Sequence, residues 1–168
     1  VASPYQNLSI MEACARNGVH YVDTSLDDER DWIKYDYADQ LAFDARFKEQ
    51  SATAVLSIGF DPGVVNVYCA HAQKHLFDSI DSIDIIDCNA GDHGYEFATN
   101  FDPETNIREI LADVIAFEDG EFRTTKALQT QREFDFPEIG SRMAYLMTHE
   151  EVLTIANVFQ GSKMSVSG

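Results

Sequence analysis

Hydrophobic positions in the first half of the chain alternate between short solid runs and helix-spaced stretches. Leu8, Met11 and Ala15 recur at helical spacing, and Gly18 supplies a stop, so a helix is predicted over 7–18. Residues 19–23 form a short apolar strand ending in Asp23-Thr24-Ser25. Residues 27–50 are acid-rich and helical in character, with Trp32, Tyr35, Leu41, Phe43 and Phe47 as inward candidates. Residues 54–58 read as another strand, running into Gly59-Phe60-Asp61-Pro62-Gly63, and a helix is predicted over 64–77. Val1–Tyr5 reads as the end of an earlier strand entering a turn. Strands alternating with helices through short links imply a parallel sheet with crossover helices. Ligands of such sheets bind beyond the carboxyl ends of the strands. Three polar turns fall there: Ser3-Pro4-Tyr5, Asp23-Thr24-Ser25 and Phe60-Asp61-Pro62-Gly63.

The pattern changes after about residue 78. A strand is predicted over 80–87, a short helix over 106–112 and a strand over 114–117. Glu118-Asp119-Gly120-Glu121 reads as a hairpin turn into 122–124, residues 132–136 alternate again, and 142–159 reads as helical, broken by Gly161. Hairpin-joined strands with helices alongside predict a second, α+β domain on a mixed sheet. No internal repeat or low-complexity segment is visible.

The most informative stretch runs from 84 to 101. β-Branched Ile83, Ile85 and Ile86 favour a strand, and Gly91 and Gly94 bracket Asp92 and His93 in a turn at its end. This turn either presents Asp92 and His93 to a ligand or merely lets them bond the backbone. Asp61 and Asp23 carry the same ambiguity: each is a site residue or a local cap, and Pro62 suits a first helical position. His71 and His75 share a helical face, but no third metal ligand follows at a diagnostic spacing, so no metal site is expected. His149, beside Glu150 and Glu151, is most simply a surface or interface group. The sequence contains no Gly-x-Gly-x-x-Gly, which counts against a complete dinucleotide site.

Composition narrows the partners. The chain has 168 residues, 45% hydrophobic and 24% charged, with a net charge of −17. Such acidity disfavours nucleic acid and anionic membranes and is compatible with a cationic substrate such as a polyamine, though acidity more often only serves solubility. Cys14, Cys69 and Cys88 are an odd number without a CxxC, which predicts a reducing, cytoplasmic setting. No run approaches the roughly 20 apolar residues of a membrane span. A chain that lacks an opening Met and begins inside apparent structure is expected to be a fragment.

Ser3-Pro4-Tyr5, His20-Tyr21-Val22-Asp23-Thr24, Gly59-Phe60-Asp61-Pro62-Gly63 and Asp87-Cys88-Asn89-Ala90-Gly91-Asp92-His93-Gly94 through Phe101 together resemble the saccharopine dehydrogenase-like family, in its carboxynorspermidine (carboxyspermidine) dehydrogenase branch. Asn106-Ile107-Arg108-Glu109, 134–140 and His149-Glu150-Glu151 continue the resemblance in order, as far as about residue 155. The resemblance implies that residues 1–77 are the C-terminal part of a Rossmann-type parallel sheet lacking its glycine-rich half. Residues 78–168 would be an α+β mixed-sheet substrate and dimerisation domain. It further implies NADP(H), with NAD(H) open, and reductive condensation of aspartate β-semialdehyde with putrescine or 1,3-diaminopropane by a cytoplasmic homodimer. Ser3, Pro4, Tyr5, Asp23, Thr24, Pro62 and Gly63 would lie by the cofactor, and Tyr5, Asp61, Asn100 and Arg108 by the substrate. His93, Asp92 and Asp61 would be catalytic: His93 as acid/base, an Asp on an ammonium, and Arg108 on a carboxylate. Two alternatives remain: a saccharopine-type enzyme acting on a lysine-derived substrate, and a non-catalytic dimerisation module of the same fold.

Overall fold

A computed structural model describes residues 5–28, 36–88, 94–95 and 102–159, and the backbone of 165–167. The chain divides into two compact units, Val1–Phe77 and Asp78–Gly168. Both mix helix and strand.

In the first unit, α1 (Asn7–Asn17) ends where the sequence places its stop, with Gly18 left-handed at φ 64° and Val19 N–H bonded to the Cys14 carbonyl at 3.0 Å. Two strands follow, β1 (Tyr21–Val22) and β2 (Ala54–Val55), separated by the short helices α2 (Ala38–Leu41) and α3 (Asp44–Glu49). β1 and β2 pair in parallel with Tyr21 opposite Ala54. One face of this pair carries Tyr21 into a cluster with Met11, Ala15 and Phe47, flanked by Ile10, Phe43 and Leu56. The expected inward residues of 27–50 divide: Phe47 is buried and Phe43 half-buried, whereas Leu41 is 60% exposed. The single long helix anticipated over 27–50 is also corrected. Leu26 to Asp28 are non-helical, and the described remainder is two short helices that bury Gln40 and Phe47 and leave Leu41 outward. Trp32 and Tyr35 lie outside the described residues.

The helix after β2 is α4 (Val64–His75), and its N-cap is Gly63 at φ 127°. Pro62 therefore precedes the helix instead of opening it, and Asp61 is not its cap; the Gly63 N–H donates to Asn66 Oδ1 at 3.0 Å in that capacity.

The second unit contains β3 (Ser82–Asp84), α5 (Pro103–Leu111), β4 (Val114–Glu118), β5 (Glu121–Thr125), β6 (Gln131–Phe136), β7 (Gly140–Tyr145), α6 (Glu151–Val158) and β8 (Ser165–Ser167). Its main sheet is mixed, in the order β3-β8-β4-β5, with β3 parallel and β4 antiparallel to β8. The predicted hairpin joins β4 to β5 through Asp119 and Gly120, both at positive φ. Asp102 caps α5, accepting from the Thr105 N–H at 2.9 Å and its hydroxyl at 2.8 Å, which holds its carboxyl below the usual carboxylate range. α6 lies against β4 and brings Val152, Ile155 and Ala156 to a core shared with Val114, Ala116 and Phe117.

The helix anticipated over 142–159 is corrected. Residues 140–145 form β7, paired with β6 from Gln131↔Tyr145 to Phe136↔Gly140, and only Glu151–Val158 is helical. Glu138 and Gly140 sit at φ 67° and 85° in the tight connection, and six cross-strand partners outweigh the helix propensity of Arg142 to Leu146. An Arg132–Asp84 ion pair at 3.0 Å ties β6 to the end of β3.

Met11→Ala is expected to lower the stability of the first unit by about 2–5 kcal/mol, and Leu41→Ala by less than about 0.5 kcal/mol. Urea unfolding of the two variants checks this, and equal costs would contradict the observed phase of α2.

Candidate functional site

At the carboxyl end of β1 the chain puts a carboxylate where apolar side chains would otherwise continue. Asp23 is 1% exposed. Its Oδ2 accepts from Gln40 Nε2 at 2.7 Å, from the Tyr21 hydroxyl at 2.9 Å and from Asn7 Nδ2 at 3.2 Å. Its Oδ1 accepts a short bond from the Ser57 N–H. The backbone of Asp23 joins in, donating to the Val55 carbonyl at 3.2 Å and accepting from the Ile58 N–H at 3.0 Å. Helix α1, helix α2, β1 and the segment after β2 therefore meet at one carboxylate, whose own donors satisfy the cost of burying it.

The braces are themselves fixed. Asn7 Nδ2 also donates to the Ser25 carbonyl at 2.7 Å, and Gln40 Oε1 accepts from the Asp27 N–H at 2.8 Å. Asp27 Oδ1 accepts from the Leu8 N–H at 3.3 Å in the first turn of α1, a bond that Gln6 at the N-cap does not supply. Burial pushes the Asp27 carboxyl up, against the Leu8 and Asn7 amides that pull it down. Burial and the Asp23 hydrogen bond push the Tyr21 phenol well above its ordinary range, so Tyr21 remains a donor at neutral pH.

The second strand-end turn presses directly on the first. A Cβ added at Gly59 would stand 2.7 Å from the Thr24 carbonyl oxygen, and one at Gly63 would stand 2.4 Å from the Gly59 oxygen. Only glycine permits that approach. Thr24 is exposed on this paired edge, Asp61 is half-buried, and Pro62 and Gly63 are buried. Tyr5, half-buried, precedes the first residue of α1 by two positions.

Among the sequence-predicted site residues, Asp23 and Thr24 lie on the first turn and Asp61, Pro62 and Gly63 on the second, which meets the first where Gly59 approaches Thr24, and Tyr5 lies just before α1. Asp23 serves there as an internal brace, because its carboxylate is taken up by four protein donors. Arg108 is half-buried on α5, in the second unit. Ser3, Pro4, Asp92, His93 and Asn100 lie outside the described residues. The His71 and His75 rings lie tilted by 43° with centroids 4.7 Å apart, both exposed on α4. Asn7, Gln40 and Ser57, which donate to Asp23, are residues that sequence reasoning misses. The only sequence signal for Gln40 is a neutral amide in an otherwise acid-rich segment.

Parallel strands whose carboxyl-end turns are bound into one edge are the ligand-facing side of a nucleotide-binding α/β unit. Residues 1–55 match the family model described as the saccharopine dehydrogenase NADP binding domain. The chain is 47% identical over 152 residues to the carboxyaminopropylagmatine dehydrogenase of Synechocystis sp., covering 90% of this chain and 38% of that protein. It is 48% identical over 153 residues to the carboxynorspermidine synthase of Vibrio alginolyticus, covering 89% of this chain and 37% of that protein. It is 47% identical over 156 residues to the carboxynorspermidine synthase of Vibrio cholerae, covering 90% of this chain and 38% of that protein. The chain is thus similar, over nine-tenths of its length, to these dehydrogenase and synthase relatives, and residues 1–55 match the saccharopine dehydrogenase NADP binding domain. It spans 37–38% of the length of these relatives. No helix among the described residues is long and apolar enough to cross a membrane.

Asp23→Ala should destabilise the first unit by about 3–5 kcal/mol, because it orphans buried donors, and Tyr21→Phe by about 1.5–3 kcal/mol. Denaturant unfolding checks both, and a neutral Asp23→Ala would refute the bracing role. A second expectation concerns pH. Hydrogen bonds from Arg46 and then Arg16 lower the Glu12 carboxyl from 4.5 to about 2. A depressed acid contributes stability that is complete above about 4.5 and lost as pH falls toward about 2. Glu12→Gln should therefore flatten that part of the acid-unfolding curve; an unchanged slope would contradict the pairing.

Proposed function

We propose that a polypeptide carrying this chain is an NADPH-dependent oxidoreductase of polyamine biosynthesis. It condenses aspartate β-semialdehyde with a diamine, putrescine or 1,3-diaminopropane, and reduces the resulting imine to a carboxy-polyamine. One observation carries the reading: 47–48% identity, over about nine-tenths of the chain, to proteins named as a dehydrogenase and two synthases of carboxy-polyamines. The printed names differ in the amine product, so the identity supports the reaction type more strongly than any one diamine. The family description supports NADP over NAD. A homodimer is the assembly we assign to it.

The residues present fit one end of the cofactor. Thr24 offers an exposed hydroxyl on the paired turns, and Tyr5 is half-buried just before α1, whereas no glycine-rich pyrophosphate loop occurs in the sequence. Tyr5, Thr24, Pro62 and Gly63, with Ser3 and Pro4, would hold the nicotinamide end, braced from below by Asp23. NADPH supplies the hydride that reduces the imine carbon. Asp61 or Asp92 binds an ammonium of the diamine, and Arg108 clamps the amino-acid carboxylate. His93 exchanges a proton with the nitrogen at the reduction step. The glycine contacts between the turns support this reading, because a rigid edge keeps a bound ring in one orientation.

Residues 1–168 alone should bind NADPH with a dissociation constant above about 100 μM, and turn over nothing. A polypeptide of the relatives' length should oxidise NADPH only when the semialdehyde and a diamine are both present. Isothermal titration and NADPH absorbance check the two halves. Turnover with lysine and none with any diamine would replace this reading by the saccharopine-type one.

A further inference from the structure

The segment Thr148-His149-Glu150-Glu151 has no role in the reading above. Thr148, Glu150 and Glu151 are buried, Glu151 to 1%, while the His149 side chain keeps 29% of its surface. Glu151 opens α6, whose next residues Val152, Ile155 and Ala156 form the apolar core of the second unit. A carboxylate in such surroundings is expensive unless it is paired. Glu151 Oε2 meets His149 Nδ1 in a short hydrogen bond. An ionised carboxylate only accepts, so a carboxylate at Glu151 selects the tautomer with the proton on Nδ1 and the imidazole lone pair at Nε2. Hydrocarbon at position 151 would fill the same space without desolvation, and a surface imidazole needs no buried anion beneath it. A buried carboxylate that fixes one tautomer of a partly exposed imidazole is the arrangement that makes a histidine an effective base.

We propose that His149, oriented by Glu151, removes the proton from the ammonium group of the amine substrate. The proposal rests on the amine–carbonyl condensation proposed above. Alkyl ammonium groups have pKa values near ~10.4, so at pH 7 roughly one in 10³ carries the lone pair that attack requires. The substrate N–H bond breaks, its electron pair stays on nitrogen, and the proton passes to His149 Nε2. The resulting imidazolium is held by Glu151. The amine pair then forms the C–N bond to the aldehyde carbon while the carbonyl pair moves to oxygen. His149 returns its proton to that oxygen to give a carbinolamine, then carries a second proton from the nitrogen to the same oxygen, and the C–O bond breaks as the nitrogen pair forms C=N and water leaves. The sum is ammonium plus aldehyde giving protonated imine plus water, with the imidazole neutral again. His149 is thus the catalytic residue and Glu151 a positioning residue.

The test uses a polypeptide of the relatives' length and the variants His149→Ala, His149→Gln and Glu151→Gln, with NADPH affinity and far-UV circular dichroism measured on each. His149→Ala should lower the amine-dependent kcat/KM by about 10²–10⁴-fold, with NADPH affinity within twofold of the unsubstituted protein. Added imidazole should restore at least about tenfold of that loss, a response that a purely structural role would not give. His149→Gln, which keeps a hydrogen-bonding group of similar size, should show the same loss with the fold intact. Glu151→Gln should lose on the order of tenfold or more, without imidazole rescue. Near-normal kcat/KM in both His149 variants overturns the proposal, as does a loss that imidazole leaves untouched. An unsubstituted protein with no amine-dependent NADPH oxidation overturns the condensation reading itself, and this proposal with it.

Discussion

The first unit depends on a single buried carboxylate. Two-residue strands have little pairing of their own, and β1 and β2 share few backbone bonds. Asp23 supplies what the strands do not. It collects side-chain donors from Asn7, Tyr21 and Gln40 and a backbone donor from Ser57, each from a different part of the chain. Removing any donor leaves an acceptor short, and removing the acceptor strands four donors at once. The edge that faces ligand in this class of fold is therefore held by polar bonding, with the Met11, Ala15, Tyr21 and Phe47 cluster behind it.

That constraint accounts for the glycines as well. Once Asp23 draws the Ser57 N–H inward and its own carbonyl accepts from Ile58, the chain after β2 must pass close over Thr24. Gly59 and Gly63 are the residues that make the passage possible, since a side chain at either would collide with backbone oxygen. The second unit uses a different device. There an apolar layer under β4 carries α6, and the acids Glu150 and Glu151 at its start are buried, Glu151 in company with an imidazole. The exposed ion pairs of the chain, such as Lys48 with Asp44 and Lys126 with Asp113, add little by comparison.

Much of this was legible in the sequence where local rules decide. The α1 stop at Gly18 and the Asp119-Gly120 hairpin both follow from backbone preferences of single residues. The mixed α/β character and the resemblance to saccharopine dehydrogenase-like proteins follow from the order of elements and of motifs. What was not legible is what nonlocal pairing decides. Residues 142–146 read as helix because nothing nearby shows that 131–136 will pair with them. Leu41 read as inward because a continuous helix was assumed across a stretch that the chain interrupts. Asp23 was legible as a strand-end acid, but its use as a brace depends on Gln40 and Ser57, 17 and 34 residues away. Glu151 gave no sign of burial, since a run of two acids beside a histidine looks like a solvated helix start.

The bracing role of Asp23 is most directly tested by amide hydrogen exchange in the first unit. Ser57 lies outside both strands, so its N–H has no ladder partner and owes any protection to the Asp23 carboxylate. If that carboxylate binds the strand ends together, the Ser57 and Ile58 amides exchange as slowly as those of Tyr21 and Asp23, all opening in one cooperative step. Exchange of Ser57 at the rate of an open loop, while Tyr21 stays protected, would show that the turns are not joined in this way.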